Sequence, residues 1–281
     1  MYPNDLFNIF GIWIDLYTIC FLVGIIVCLV FTIIAMKKSG YSNTASDTII
    51  VIGIFAIVIG ILFAVLFQSI YDYIENPNNG FQITGRMTFI GGLIGGVVFY
   101  IGIYFLYVYV INPRLKEGNF FKSKMNKGIW YLLRFAPISI TIAHAFGRIG
   151  CSFAGCCHGK VTTEWYGIWN DVLGAKTVPI QLFEAVFLFL LSAVMIILFF
   201  KFNFKYNMSV YLISYGVWRF VIEFFRADDR GGTILGLQPS QFWSIIMILG
   251  GIAFFFIYRY FDRKIEEKQI EEPQEMKKDA E

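Results

Sequence analysis

Seven long apolar stretches dominate the sequence, at roughly 10–36, 48–71, 87–111, 129–150, 178–200, 208–226 and 239–261. A helix needs about 20 mainly apolar residues to cross a bilayer. Inside lipid its backbone must satisfy its own hydrogen bonds, which leaves helices or closed barrels. These stretches are too long and too continuously apolar for the alternating ten-residue strands of a barrel. The expectation is an all-α integral membrane protein with seven transmembrane helices. Composition agrees: 57% of residues are hydrophobic and 15% charged, against about 45–50% and about 25% in soluble domains. A disordered chain and a nucleic-acid binder are excluded, and a disulfide-stapled secreted domain is disfavoured. The net charge of +3 is too small to call for a polyanionic partner.

Lys and Arg in the connections set the orientation. Fifteen fall on one side: Lys37 and Lys38, Arg114 to Lys127, Lys201 and Lys205, and the six from Arg259 onward. Only Arg86, Lys160, Lys176, Arg226 and Arg230 fall on the other. This alternation predicts an N-terminus outside and a C-terminus in the cytoplasm. It divides the chain into a membrane domain over residues 1–261 and a charged cytoplasmic tail over 262–281. The first stretch has no basic residues before it and contains Asp15, so it is expected to be a span and not a cleaved signal.

Charges within spans are costly and call for a reason. In the sixth stretch Tyr215, Arg219, Glu223 and Arg226 are spaced four, four and three apart, as on one helical face. Glu223 is placed to bridge the two arginines, leaving guanidinium donors for an anion such as a lipid phosphate. A structural ion pair is the plainer alternative. The fourth stretch carries His144 and Arg148, four apart, and either packing or a site explains them. Gly91, Gly92, Gly95 and Gly96 in the third stretch are small residues suited to close helix contact. Arg86, just before them, is free by position to meet headgroups or a site.

Cys151, Cys156, Cys157 and His158 are the most chemical-looking cluster. Adjacent cysteines rarely chelate one ion well, so a disulfide or simple thiols are expected ahead of a catalytic thiol, and no metal is assigned. Cys20 and Cys28 read as apolar packing residues.

At these residues the chain resembles the prolipoprotein diacylglyceryl transferase family. Gly147, Arg148, Ile149 and Gly150 match the start of its Gly-Arg-Ile-Gly-Asn signature, with Cys151 in the Asn position. Tyr215, Gly216, Arg219, Phe220, Glu223, Phe224 and Arg226 match its Tyr-Gly-x-x-Arg-Phe-x-x-Glu-Phe-x-Arg run. Pro179, Gln181, Leu182, Phe183 and Glu184 follow its Pro-x-Gln-Leu-Tyr-Glu run, with Phe for Tyr, and Tyr17 looks like its functional tyrosine.

The resemblance implies a bacterial enzyme of the cytoplasmic membrane that needs no cofactor. It would transfer the diacylglyceryl group of phosphatidylglycerol, at the outer leaflet, to the lipobox thiol of a prolipoprotein signal peptide, releasing glycerol phosphate. Arg219, Tyr17 and Tyr215 are the implied catalytic residues, joined by His144. Arg148, Glu223, Arg226, Gly91, Gly92, Gln181 and Glu184 are the implied substrate-binding residues. Two departures fall in the thiol-activating half. The family's Phe-His-Gly-Gly run has Ile90 for its His, and its Asn-Gly-Glu run becomes Ala154, Gly155 and Cys156. His144 is therefore expected to act as the base. A transferase with another acceptor, or a lipid-binding, redox or metal membrane protein on the same fold, is the alternative.

Overall fold

The computed structural model describes residues 5–9, 12–77, 80–83, 87–116, 118–119, 122–124, 128–227 and 236–278. Arg86, Lys127 and Arg230, used above, lie outside the described residues. Strands β1 (Asp5–Ile9) and β2 (Ile12–Asp15) pair antiparallel and lead into α1 (Leu16–Lys38). Helices α2 (Asn43–Glu75) and α3 (Phe89–Leu106) follow, then α4 (Ala136–Ala154). A second antiparallel hairpin, β3 (Ile168–Asn170) with β4 (Ala175–Thr177), precedes α5 (Ile180–Phe202), α6 (Asn207–Ile222) and α7 (Pro239–Lys278).

Three expected boundaries shift, each for a local reason. The first helix begins at Leu16 and not near residue 10, because Asp15 caps it: its Oδ1 accepts from the Thr18 backbone N–H at 2.8 Å. The fourth stretch is not one helix from 129. A short turn of helix, Ile129–Leu132, stops, and α4 restarts at Ala136 with a proline in its first turn, where a missing N–H costs nothing. The sixth helix ends at Ile222, and Glu223–Phe225 tighten into a 3-10 turn that leaves Arg226 extended. At the far end, the α7 backbone runs unbroken through residue 262 to Lys278.

Among the described residues, six helical segments are long and apolar enough to cross a membrane: Leu16–Lys38, Asn43–Ile74, Gly91–Arg114, Ile180–Phe202, Asn207–Phe225 and Pro239–Arg263. Helix α4 is not among them. Its 19 residues include Ser139, Thr141, His144, Arg148 and Ser152, which lower its hydropathy. Ser139, Thr141 and Ser152 are buried, so its polar side faces protein. The class is an all-α membrane protein.

The chain forms two compact units, Met1–Thr32 with Ile129–Glu281, and Ile33–Gly128. In the smaller, α2 and α3 pack along their length through glycine. A Cβ on Gly92 would press the Ala64 side chain at 3.1 Å, and one on Gly95 would overlap the Phe63 ring. In the larger, α1 approaches α4 where Gly150 meets the Tyr17 ring, 3.0 Å from where a Cβ would stand. Ala145 of α4, Leu188 of α5 and Tyr215 of α6 centre a core that Phe187, Tyr211, Trp218 and Met247 complete. Phe187 and Trp218 stack at 4.4 Å between ring centres. At the α5–α6 turn, Lys205 pairs with Asp262 at 2.7 Å and the Asn207 amide donates to the Arg134 carbonyl at 2.7 Å.

Candidate active site

Glu184, on the first turns of α5, is 1% exposed and organises the site. Its Oε1 accepts from the Tyr215 hydroxyl at 2.7 Å, and its Oε2 lies 3.1 Å from Arg148 Nε. Arg148 Nε also donates to His144 Nε2 at 3.2 Å, and the His144 ring stands edge-on to Tyr215 at 5.0 Å. Arginine can only donate, so Nε2 is the bare nitrogen of a neutral ring. That lone pair is the one a base would use, and Arg148 occupies it. While that contact holds, Nε2 has no lone pair free for another donor.

A second charge cluster closes α6. Glu223 Oε2 lies 3.3 Å from Arg219 Nη2 and 3.8 Å from Arg226 Nε, so the bridge between two arginines forms despite the 3-10 turn between them. Arg219 Nη2 also donates to Ser240 Oγ at 3.0 Å. Its other terminal nitrogen, Nη1, is buried and has no hydrogen-bond partner among the described residues. Across the two clusters, three arginines face two glutamates, which leaves one positive charge in excess. An apolar cleft lined by Val178, Phe183, Trp218, Val221, Ile222 and Phe225 runs beside the end of α6.

The cysteine loop is built onto the end of α4. Gly155 takes φ 73°, which ends the helix, and a Cβ there would meet Val172 at 2.9 Å and Asn170 at 3.0 Å. Asn170 Nδ2 donates to the Gly155 carbonyl at 3.0 Å, and Gln181 Nε2 to the Cys156 carbonyl at 2.6 Å. Gly159 then bridges to Arg226, with Lys160 N–H bonded to the Phe225 carbonyl at 3.1 Å. The Sγ atoms of Cys151, Cys156 and Cys157 all lie within 4.8 Å of one another, and none is in a disulfide. Hydrogen bonds from Cys151 and Cys156, with the positive charges of Arg148 and Arg226, hold the Cys157 thiol well below the ordinary thiol range. His158 engages the Gly159 carbonyl through Nδ1 at 3.0 Å.

Of the residues singled out from sequence, His144, Arg148, Glu184 and Tyr215 form one contact network, and Arg219, Glu223 and Arg226 another. Gln181 reaches the cysteine loop and touches its backbone. Gly91 and Gly92 lie on the α2-facing side of α3, in the other compact unit. Sequence reading missed Ser240 and Asn170. The Pro239–Ser240 helix start was a signal for the first; no local pattern distinguished the second.

The family model for prolipoprotein diacylglyceryl transferase matches residues 4–257. The chain belongs to the prolipoprotein diacylglyceryl transferase family. It is 29% identical over 263 residues to the phosphatidylglycerol–prolipoprotein diacylglyceryl transferase of Clostridium tetani, covering 91% of this chain and 97% of that one. A protein of the same name, numbered 2, from Clostridium perfringens is 31% identical, covering 92% of this chain and 96% of the relative. The Clostridioides difficile relative, also so named, is 31% identical across 88% of this chain and 91% of its own. These relatives are bacterial, and the chain is a multi-pass membrane protein of that family.

Proposed function

We propose that the chain transfers the diacylglyceryl group of phosphatidylglycerol to a prolipoprotein cysteine thiol and releases glycerol phosphate. The observation that carries this reading is Arg219. A buried guanidinium inside a membrane helix costs too much to keep without a partner for each donor. Ser240 and Glu223 fix one terminal nitrogen, while the other is buried and unpartnered among the described residues. A lipid phosphate supplies the missing acceptor and the charge that the excess arginine calls for. As the ester bond breaks, the leaving phosphate gains negative charge, and a donor held in advance stabilises it.

Tyr215 and His144 orient Arg148 and Glu184, so that a second guanidinium stands ready for the same anion. The apolar cleft beside α6 suits acyl chains. Tyr17, packed on Gly150, borders the end of α4 that carries Arg148. Gly91, Gly92 and Gln181 act as positioning residues in this reading: two set the α2–α3 contact and one fixes the cysteine loop.

In this reading α4 is the seventh span, shielded by its neighbours, and the Lys and Arg distribution puts the N-terminus outside and the C-terminus in the cytoplasm of a bacterial cell. The site then lies at the outer leaflet. The topology test labels intact cells with a membrane-impermeant thiol reagent after mild reduction. Cys156 labels on intact cells and a Lys122→Cys variant only after permeabilisation; the reverse pattern overturns the leaflet. The activity test supplies purified protein with phosphatidylglycerol and a lipobox peptide, and glycerol phosphate appears with the peptide thioether.

A further inference from the structure

Two of the three clustered cysteines, Cys151 and Cys156, stand where the family's pattern has Asn and Glu, and Ile90 stands where it has His. The chain has lost the groups expected to take a proton from the acceptor thiol, and His144 Nε2 is occupied by Arg148. Something else must make the thiolate.

The loop after α4 is folded to bring sulfurs together. Gly155 and Cys157 both adopt left-handed backbone, φ 73° and φ 57°. A non-glycine residue held there is uncommon and persists where its surroundings fix it. These two turns reverse the chain over the last turn of α4 and set Cys156 and Cys157 against Cys151, with all three Sγ atoms within 4.8 Å of one another. Thiolates around a tetrahedral ion with bonds of about 2.3 Å sit roughly 3.8 Å apart, so a small inward adjustment closes the set. Asn170 and Gln181 brace the loop from buried positions. In a loop bent in this way the adjacent Cys156 and Cys157 both place their sulfurs beside Cys151. Three thiolates on a divalent ion carry one negative charge; Arg148 lies on α4 three residues before Cys151, and Arg226 is bridged to Gly159 at the end of the loop. His158 is not in the group of ligand atoms. Sites with three protein ligands keep a fourth position open for substrate, whereas structural zinc sites close with four.

We propose that Cys151, Cys156 and Cys157 bind zinc, or an ion of its class, and that the open fourth position takes the acceptor thiol as a thiolate. The role of that fourth position rests on the transferase reading; the site itself does not. Soft thiolate ligands select such ions, and a thiol that coordinates one is deprotonated outright, its proton passing to water. The bound sulfur then attacks the glyceryl carbon. The C–S bond forms as the C–O bond to phosphate breaks, the electron pair leaves on the phosphate oxygen, and glycerol phosphate departs. Nothing is oxidised or reduced, and the neutral thioether leaves the ion for the next thiol.

The test uses the full chain in detergent, reduced, freed of metal, and loaded with zinc chloride or cobalt chloride alone. About one ion binds per chain, as one three-thiolate site allows. The cobalt form shows sulfur-to-metal charge transfer and tetrahedral d–d bands. Zinc also protects Cys151, Cys156 and Cys157 of the unaltered protein from alkylation, a reading that needs no variant to fold. Cys151→Ser, Cys156→Ser and Cys157→Ser each lose the ion, and Cys20→Ser keeps it. A lipobox peptide shifts the d–d bands and its Cys→Ser form does not. Reduced protein that releases glycerol phosphate with peptide but binds no ion overturns the site, as does a disulfide among the three that re-forms in place of ion binding. Ion binding with no band shift overturns the activating role. An ion-loaded protein that shifts its bands with peptide yet releases no glycerol phosphate leaves the site standing and sinks the transferase reading.

Discussion

Helices α2 and α3 meet through glycine and alanine, whereas α4, α5 and α6 meet through ionised and hydroxyl side chains that a membrane penalises. The first contact needs only close backbone approach, since lipid offers no hydrophobic drive and dispersion must hold the helices together. The second keeps Glu184 and Arg148 in contact at 3.1 Å, Tyr215 on the same carboxylate, and a buried arginine donor on Arg219 without a partner among the described residues. On the proposed function, the comparison separates residues that pack from residues that do chemistry, and substitutions at four positions test the division.

The largest effect is expected at Glu184→Leu. It strands Arg148, which is 16% exposed, and breaking one side of a largely buried pair costs up to about 3–5 kcal/mol. Thermal unfolding in detergent should show a large loss, and a shift within the noise of the unaltered protein would mean that Arg148 has another anion. Arg219→Ala comes next: product formation falls about 100- to 1,000-fold, the loss of one aimed donor, with a smaller loss of unfolding temperature than Glu184→Leu because Glu223 keeps Arg226. Arg219→Lys recovers little, because lysine lacks the planar fork that reaches Ser240, Glu223 and a phosphate together. Near-normal turnover by the lysine variant would mean that a point charge is enough.

Gly95→Leu sharpens the other side of the comparison. Its side chain overlaps Phe63, and overpacking of this kind costs about 1–3 kcal/mol. Stability should fall while the activity of the remaining folded protein holds; a selective loss of turnover would move this contact into the chemistry. The smallest effect is expected at His144→Gln. The amide oxygen still accepts from Arg148, so activity falls by less than the ~100-fold that removal of a general base costs, and the pH profile keeps its shape. A larger fall with an altered profile would restore His144 as the base.

Much of the fold was legible because membrane burial writes itself into long apolar runs. The boundaries were less so. Asp15 read as a charge within a span, yet it caps one. The break before α4 turns on a proline in a first helical turn, which hydropathy does not register. At the site, the spacing of Arg219, Glu223 and Arg226 foretold their pairing, since an α turn and a 3-10 turn both keep such neighbours in reach. The link from Glu184 to Tyr215 crosses 31 positions and belongs to tertiary packing, which spacing along one helix does not encode. The cysteines show the same limit: their sulfurs come together in a loop with left-handed backbone at Gly155 and Cys157, which spacing does not reveal.

Transfer is tested most directly by following both products of one reaction. Purified protein in phosphatidylglycerol bilayers receives a lipobox peptide or its Cys→Ser form, and glycerol phosphate and lipidated peptide are measured together by mass spectrometry. Equal amounts of glycerol phosphate and diacylglyceryl thioether are expected with the cysteine peptide, and neither with the serine form. Folded protein that yields neither product with the cysteine peptide, or glycerol phosphate without any thioether, would contradict transfer to the thiol.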